Sequence, residues 1–200
     1  HGVTTTSDNQ KVFKHGELVV LAVKPQDISL VLDENKGSLN KDQTVVSIVA
    51  GAKMQTIASG LGHESVVRVM PNTPAQIGAG MSVWLADRSV SKAHRQAVGT
   101  ILGTLGQELE VDEEKYMDMG TALSASGPAY VFLFIEALID AGVYVGMPRD
   151  MARTLALQTV FGSTKLVMDT GMHPAELKDR VVSPGGTTAE ALRVLEDQGV

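Results

Sequence analysis

No cysteine occurs among the 200 residues. That excludes a disulfide framework, a zinc–thiolate centre and thiol catalysis. Aromatic residues make up only 4%, too few for the stacking platforms that grip single-stranded nucleic acid. Positive charge is in the minority: 17 Lys and Arg against 23 Asp and Glu give 17 − 23 = −6. With no basic stripe, this balance speaks against nucleic-acid binding. The five histidines are scattered, with no metal spacing such as His-x-x-x-His. The most apolar run, Ala129 to Val145, contains Glu136 and Asp140 and is short for a membrane span. The first residues do not read as a signal peptide. It starts on His1 in mid-pattern, without Met, as a piece of a longer protein would. A Gly-x-Gly-x-x-Gly fingerprint is also missing. Gly60-Leu61-Gly62 and Gly78-Ala79-Gly80 come closest, and both read as turns.

What is present is an ordinary globular composition, 44% apolar and 20% charged, enough for one large domain or two small ones. In the first half, three short β-rich runs read as buried strands: Glu17 to Val23, Thr44 to Ala50 and Ser65 to Met70. Between them, Asp27 to Asn35 and Met54 to Leu61 read as helices, the second closed by Gly62. A further strand is expected at Gly80 to Ala86. A helix capped by Ser91 then runs to Leu105, and an edge strand follows at Glu108 to Val111. This alternation is that of an α/β domain with a largely parallel sheet. Such sheets bind ligands beyond the carboxyl ends of their strands. Here those ends carry Lys24-Pro25, Ala50-Gly51 and Pro71-Asn72-Thr73-Pro74. Each alone reads as a strand terminator; the three together read either as terminators or as the rim of a nucleotide cleft.

After Asp112 the strand patterns stop. Glu113 to Thr121 is helical, and Ser126 and Pro128 look like the cap and first turn of a long helix reaching Tyr144. Its apolar residues lie nearly all round, which asks for burial on several sides and so for a partner subunit. Asp150 to Met168 is another long helix. His173-Pro174 starts a short one, with His173 as a cap or surface residue. The last runs from Thr187 to Gln198. Between these two lies Ser183-Pro184-Gly185-Gly186-Thr187-Thr188. It is either a plain helix–helix turn, with a threonine cap and Glu190 as capping partner, or an anion site built from helix-start amides.

Four stretches carry a family resemblance: Leu21-Ala22-Val23-Lys24-Pro25, Met70-Pro71-Asn72-Thr73-Pro74, Leu123 through Tyr130, and Glu176-Leu177-Lys178-Asp179 leading into Val182-Ser183-Pro184-Gly185-Gly186-Thr187-Thr188-Ala189. In order and spacing the chain resembles pyrroline-5-carboxylate reductases over essentially its whole length. The resemblance implies a Rossmann domain for NADPH or NADH, of which residues 1–111 would be the C-terminal part, with the first βαβ unit of about 30 or more residues upstream of His1. Residues 112–200 would be a helical dimerisation and substrate domain. Homodimers assembling into larger rings, a cytoplasmic location and the small-molecule substrate 1-pyrroline-5-carboxylate follow from the same resemblance, with no metal, nucleic acid or membrane.

It further implies site residues. Asn9 would lie near the adenosine ribose. Ala22, Val23, Lys24 and Pro25 would lie beside the cofactor phosphates and ribose, and Ala50 and Asn72 near the nicotinamide. Glu114 would be an acidic residue on the substrate side. Gly185, Gly186, Thr187 and Thr188 would form the substrate-carboxylate loop, contributed by the dimer partner, with Thr188 on the ring nitrogen as the catalytic contact. The chain stops at Val200 where the family continues, and Arg180 stands where some members carry a smaller polar residue. Two other readings stay open on the residues alone. One is a reductase of another small acid, for which Lys165 is the only lysine inside a long helix. The other is a non-catalytic oligomerisation module.

Overall fold

The computed structural model describes residues 2–199, which form two compact units, one up to Tyr130 and one from Val131 on. The first unit holds a five-stranded sheet in the order β1 (Leu18–Leu21), β2 (Thr44–Ser47), β3 (Val66–Met70), β4 (Gly80–Ala86), β5 (Gly106–Glu110). The pairings β1–β2, β2–β3 and β4–β5 are parallel, and β3–β4 is antiparallel. The carboxyl ends of β1, β2 and β3 therefore share one edge of the sheet, together with the amino end of β4.

Alternation along the strands separates two cores, because successive side chains point to opposite faces. Val19, Leu21, Val45 and Val66 join Ile57 and Leu61 on one face. Here α2 (Ile28–Glu34) and α3 (Met54–Leu61) pack. Val46, Val67, Val69 and Trp84 join Val98 and Leu102 of α4 (Lys92–Gly103) on the other. Ile57 and Leu61 are fully buried, each worth roughly 1.5–3 kcal/mol in removed apolar surface. Gly62 ends α3 in the left-handed region at φ +65°, where glycine carries no Cβ penalty. Ser91 caps α4 as its position suggests, accepting from the His94 amide at 3.1 Å.

The strands are shorter than the hydrophobic runs suggest. Glu17 and Ala22–Val23 fall outside β1, and Ile48–Ala50 outside β2, although the Thr44 amide still donates to the Glu17 carbonyl and the Ile48 amide to the Leu21 carbonyl. A short helix, α1 (Asn9–Phe13), precedes β1 without a strong pattern in sequence. It is capped by Asp8 and anchored by the buried Phe13. The expected break before the long helix is also absent. Helix α5 (Lys115–Gly120) passes through a π-turn, Thr121–Ala125, directly into α6 (Gly127–Tyr144). Ser126 is in helical geometry (φ −83°, ψ −23°) and is not an extended cap. The run Lys115–Tyr144 is 30 residues, long and apolar enough to cross a membrane by length and composition alone; its second part, α6, matches the helix expected from Pro128 to Tyr144 to within one residue.

In the second unit, α6 turns at Gly146 into α7 (Arg149–Thr170). A Cβ at Gly142 would stand 2.8 Å from that of Ala152, so the two helices meet on glycine and alanine. Helices α8 (Pro174–Val181) and α9 (Thr187–Asp197) follow. His173 caps α8, its Nδ1 accepting from the Ala175 amide at 3.2 Å. Lys165 pairs with Asp169 at 2.5 Å on the exposed face of α7.

Candidate functional site

The strand-end loops meet at one edge of the first unit. Ala22, Lys24 and Pro25 are exposed just past β1, and Val23 is half-buried. Pro25–Asp27 form a single 3-10 turn that hands the chain to α2. Ala50 is exposed after β2, and Gly51 turns the chain at φ +75° toward α3. Asn72 follows β3. These elements are neighbours in the sheet, so the residues expected at the phosphate side and the nicotinamide side lie along one edge. Small or turn-forming residues line it, and Lys24 supplies a cation suited to a phosphate. This fits a dinucleotide. Asn9 is exposed in the first turn of α1, and no hydrogen bond joins it to this edge among the described residues.

Asn72 does more inside the fold than its expected place near a cofactor suggests. Its Oδ1 accepts from the Met81 amide at 2.9 Å, fixing the start of β4. Its Nδ2 donates to the Ser124 carbonyl at 3.2 Å. That carbonyl lies four residues before Pro128, which has no N–H to give it. A proline inside a helix leaves such an acceptor orphaned and crowds it. Here the π-turn, closed by Ser126 N to Thr121 O at 2.9 Å, widens the helix, and the Asn72 amide supplies the missing donor. Functional sites often carry π-turns of this kind.

Glu114 is also engaged. Its Oε1 accepts from the Met54 amide at 2.9 Å and from Arg68 Nη1 at 3.0 Å. Arg68 lies mid-strand in β3 with a side chain only 3% exposed, and its Nη2 reaches Asp118 at 3.1 Å. Sequence reasoning passed over Arg68, Asp118 and Ser124. The available signal was a lone arginine inside Val66-Val67-Arg68-Val69, followed far along the chain by two carboxylates four residues apart. A groove of about 580 Å³ runs along α3 between Gln55, Ser59, His63 and Glu114. It is polar and lies on the helix flank, with no aromatic wall. At its rim Asp87 is held below the usual carboxylate range, chiefly because the Ser89 amide donates to it.

In the second unit, the Gly186 amide bonds back to the Ser183 carbonyl at 3.0 Å, closing a tight turn over Pro184-Gly185. Gly185 sits at φ +67°, the left-handed position that such a turn reserves for glycine. A Cβ on Gly186 would collide with Ser183 Oγ. Gly186 is the N-cap of α9 and no side chain caps it. The expected threonine cap with Glu190 as partner does not form. Glu190 pairs with Arg193 instead, which lowers its pKa. The first amides of α9 are consequently left without intrahelical partners. The half-buried Thr188 stands among them. Arg180, in the last turn of α8, is exposed and forms no ion pair among the described residues.

Residues 114–200 match the family described as pyrroline-5-carboxylate reductase dimerisation, and residues 1–51 one described as NADP oxidoreductase, coenzyme F420-dependent. The chain is 43% identical over 198 residues to the pyrroline-5-carboxylate reductase of Glycine max, covering 99% of this chain and 72% of that protein. To that of Escherichia coli it is 45% identical over 199 residues, covering 99% and 74%. The crystal structure of Plasmodium falciparum pyrroline carboxylate reductase with NADP bound superposes with a TM-score of 0.91 at 39% identity, over 96% of this chain and 73% of that one.

Proposed function

The chain belongs to the pyrroline-5-carboxylate reductase family, NAD(P)H-dependent oxidoreductases that reduce 1-pyrroline-5-carboxylate to L-proline in proline biosynthesis, and we propose how its own residues carry that reaction. The observation that carries the proposal is the uncapped start of α9 behind its Pro-Gly-Gly turn. Unclaimed amides at a helix start, aided by the dipole, hold a carboxylate. Gly185, Gly186 and Thr187 keep the turn open to the ring's carboxylate, and the Thr188 hydroxyl bonds the ring nitrogen.

The strand-end edge, with Ala22, Val23, Lys24, Pro25, Ala50 and Asn72, holds NADPH or NADH, and Asn9 stands toward the ribose. Bound there, the dinucleotide supplies a hydride to the C=N carbon. The imine takes a proton from solvent before or during the transfer, so the chain supplies orientation and needs no strong acid. This accords with a site that has no acid–base pair.

Residues 1–111 act as the cofactor domain and 112–200 as the helical domain. Oligomerisation rests on the dimerisation match over α5 to α9. In our reading the exposed apolar surface of α6 meets a second copy, the α9 loop of one chain serves the cofactor edge of another, dimers build larger rings, and the enzyme is cytoplasmic.

Thr188→Ala in the full-length protein tests the substrate contact. Steady-state NADPH oxidation with pyrroline-5-carboxylate should lose tenfold or more in kcat/KM, about 1.4 kcal/mol or more of transition-state binding. Unchanged kinetics would remove Thr188 from the substrate.

A further inference from the structure

We propose that Glu114 is a positioning residue that ties the loop after β2 to the buried Arg68 of β3, so that the nicotinamide side of the strand-end edge is shaped before any ligand arrives. The inference rests on the dinucleotide reading of that edge and changes the part Glu114 plays in it. By resemblance Glu114 stands toward substrate; in the structure one of its oxygens is committed to two internal donors.

Two observations carry it independently. Lys53, the N-cap of α3, offers no side-chain cap. The carboxylate that accepts from the first helical amide, Met54, comes instead from a residue 60 positions away. A negative charge there also suits the positive end of the helix dipole. Separately, Arg68 is a buried cation in an otherwise apolar strand, and a buried charge needs a partner. Glu114 meets both needs through the same Oε1. Asp118 takes the other arm of the guanidinium but is 68% exposed, so water competes for that contact.

The consequence falls on residues 48–53. This stretch leaves the sheet with the Ile48 amide bonded to the Leu21 carbonyl at 3.0 Å. It bends through Ala50 and Gly51, and it ends where Glu114 holds Met54. Val49 and Ala52 pack into the core on either side of the bend, so without Glu114 the exposed Ala50–Gly51 corner loses its tether at the α3 end. The loop that carries Ala50 would then sample more conformations, and a dinucleotide would have to order it on binding.

Two readouts test this on the full-length protein: hydrogen exchange at the Met54 amide without ligand, and the NADPH dissociation constant from fluorescence titration. Glu114→Ala should speed Met54 exchange at least tenfold and raise the NADPH Kd about tenfold. Glu114→Gln keeps an acceptor for Met54 and should stay within threefold of wild type in both. Asp118→Ala leaves the α3 contact in place and should move Kd by less than threefold. Wild-type Kd in Glu114→Ala overturns the proposal, as does an Asp118→Ala effect equal to it. Unchanged Met54 exchange in Glu114→Ala overturns the tie whatever the protein binds. If Glu114→Ala does not fold, Glu114→Gln decides: freely exchanging Met54 or a tenfold weaker Kd sinks the idea. Wild-type protein that binds no NADPH would instead overturn the functional reading.

Discussion

Asn72 is the residue whose environment changes its meaning. Its side-chain amide accepts from Met81 and donates to Ser124, so both ends are occupied within the fold. Asn72→Asp keeps the acceptor for Met81 but sets a carboxylate oxygen against the Ser124 carbonyl. Losing the donor there should cost about 1–3 kcal/mol, read as a lower urea midpoint with an unchanged slope. A wild-type midpoint would mean that the Ser124 carbonyl is satisfied otherwise. The motif Pro71-Asn72-Thr73-Pro74 was legible in sequence as a strand terminator. Its partner was not, because Ser124 lies 52 residues away and becomes an orphan acceptor only when the helix continues through Pro128.

Single elements were legible where their ends are local. The residues of α3 and its closing Gly62 follow from a short apolar periodicity and one left-handed glycine. Ser91 at the start of α4 and His173 at the start of α8 act within three residues of themselves. The failures are elements whose ends depend on distant groups. Ser126-Gly127-Pro128 reads as a helix start by every local rule, yet the π-turn and Asn72 carry the helix through it. A threonine with Glu190 was one of two readings of the α9 start, yet no side chain caps it and Glu190 pairs with Arg193. Between α6 and α7 the contact is steric. Gly142→Ala would place a Cβ 2.8 Å from that of Ala152. Overpacking of about 1–3 kcal/mol should outweigh a helix-propensity gain of about 1 kcal/mol. Thermal unfolding should therefore detect a loss in Gly142→Ala that Ala152→Gly, added as a second change, largely recovers. Additive losses in the double variant would put the cause elsewhere.

At the scale of the molecule, the helical half presents apolar surface that one chain does not cover. Phe132 is 60% exposed and Tyr144 91%. Residues 114–200 match a dimerisation family, and this surface is proposed to meet a second copy. Phe132→Glu with Leu133→Glu should shift the protein toward monomer in sedimentation velocity. Pyrroline-5-carboxylate reduction should fall with the monomer fraction, since the α9 loop is proposed to serve another chain's cofactor edge. Full activity in a monomer would separate the reaction from assembly.

By itself the sequence determined the alternation of strands and helices, the change to an all-helical second half, the glycine turn before α9 and the strand-end loops. All of these rest on residue periodicity, turn chemistry and motif spacing within a few positions. Only the tertiary structure decided that the helix from Lys115 to Tyr144 runs unbroken, that Asn72 and Glu114 serve the fold before they serve a ligand, and that Arg68 is buried. The physical reason is the same in each case. A buried donor, acceptor or charge must be satisfied, and its partner is chosen by the packing of the sheet against the helices, which places residues 46 to 60 positions apart within hydrogen-bonding distance.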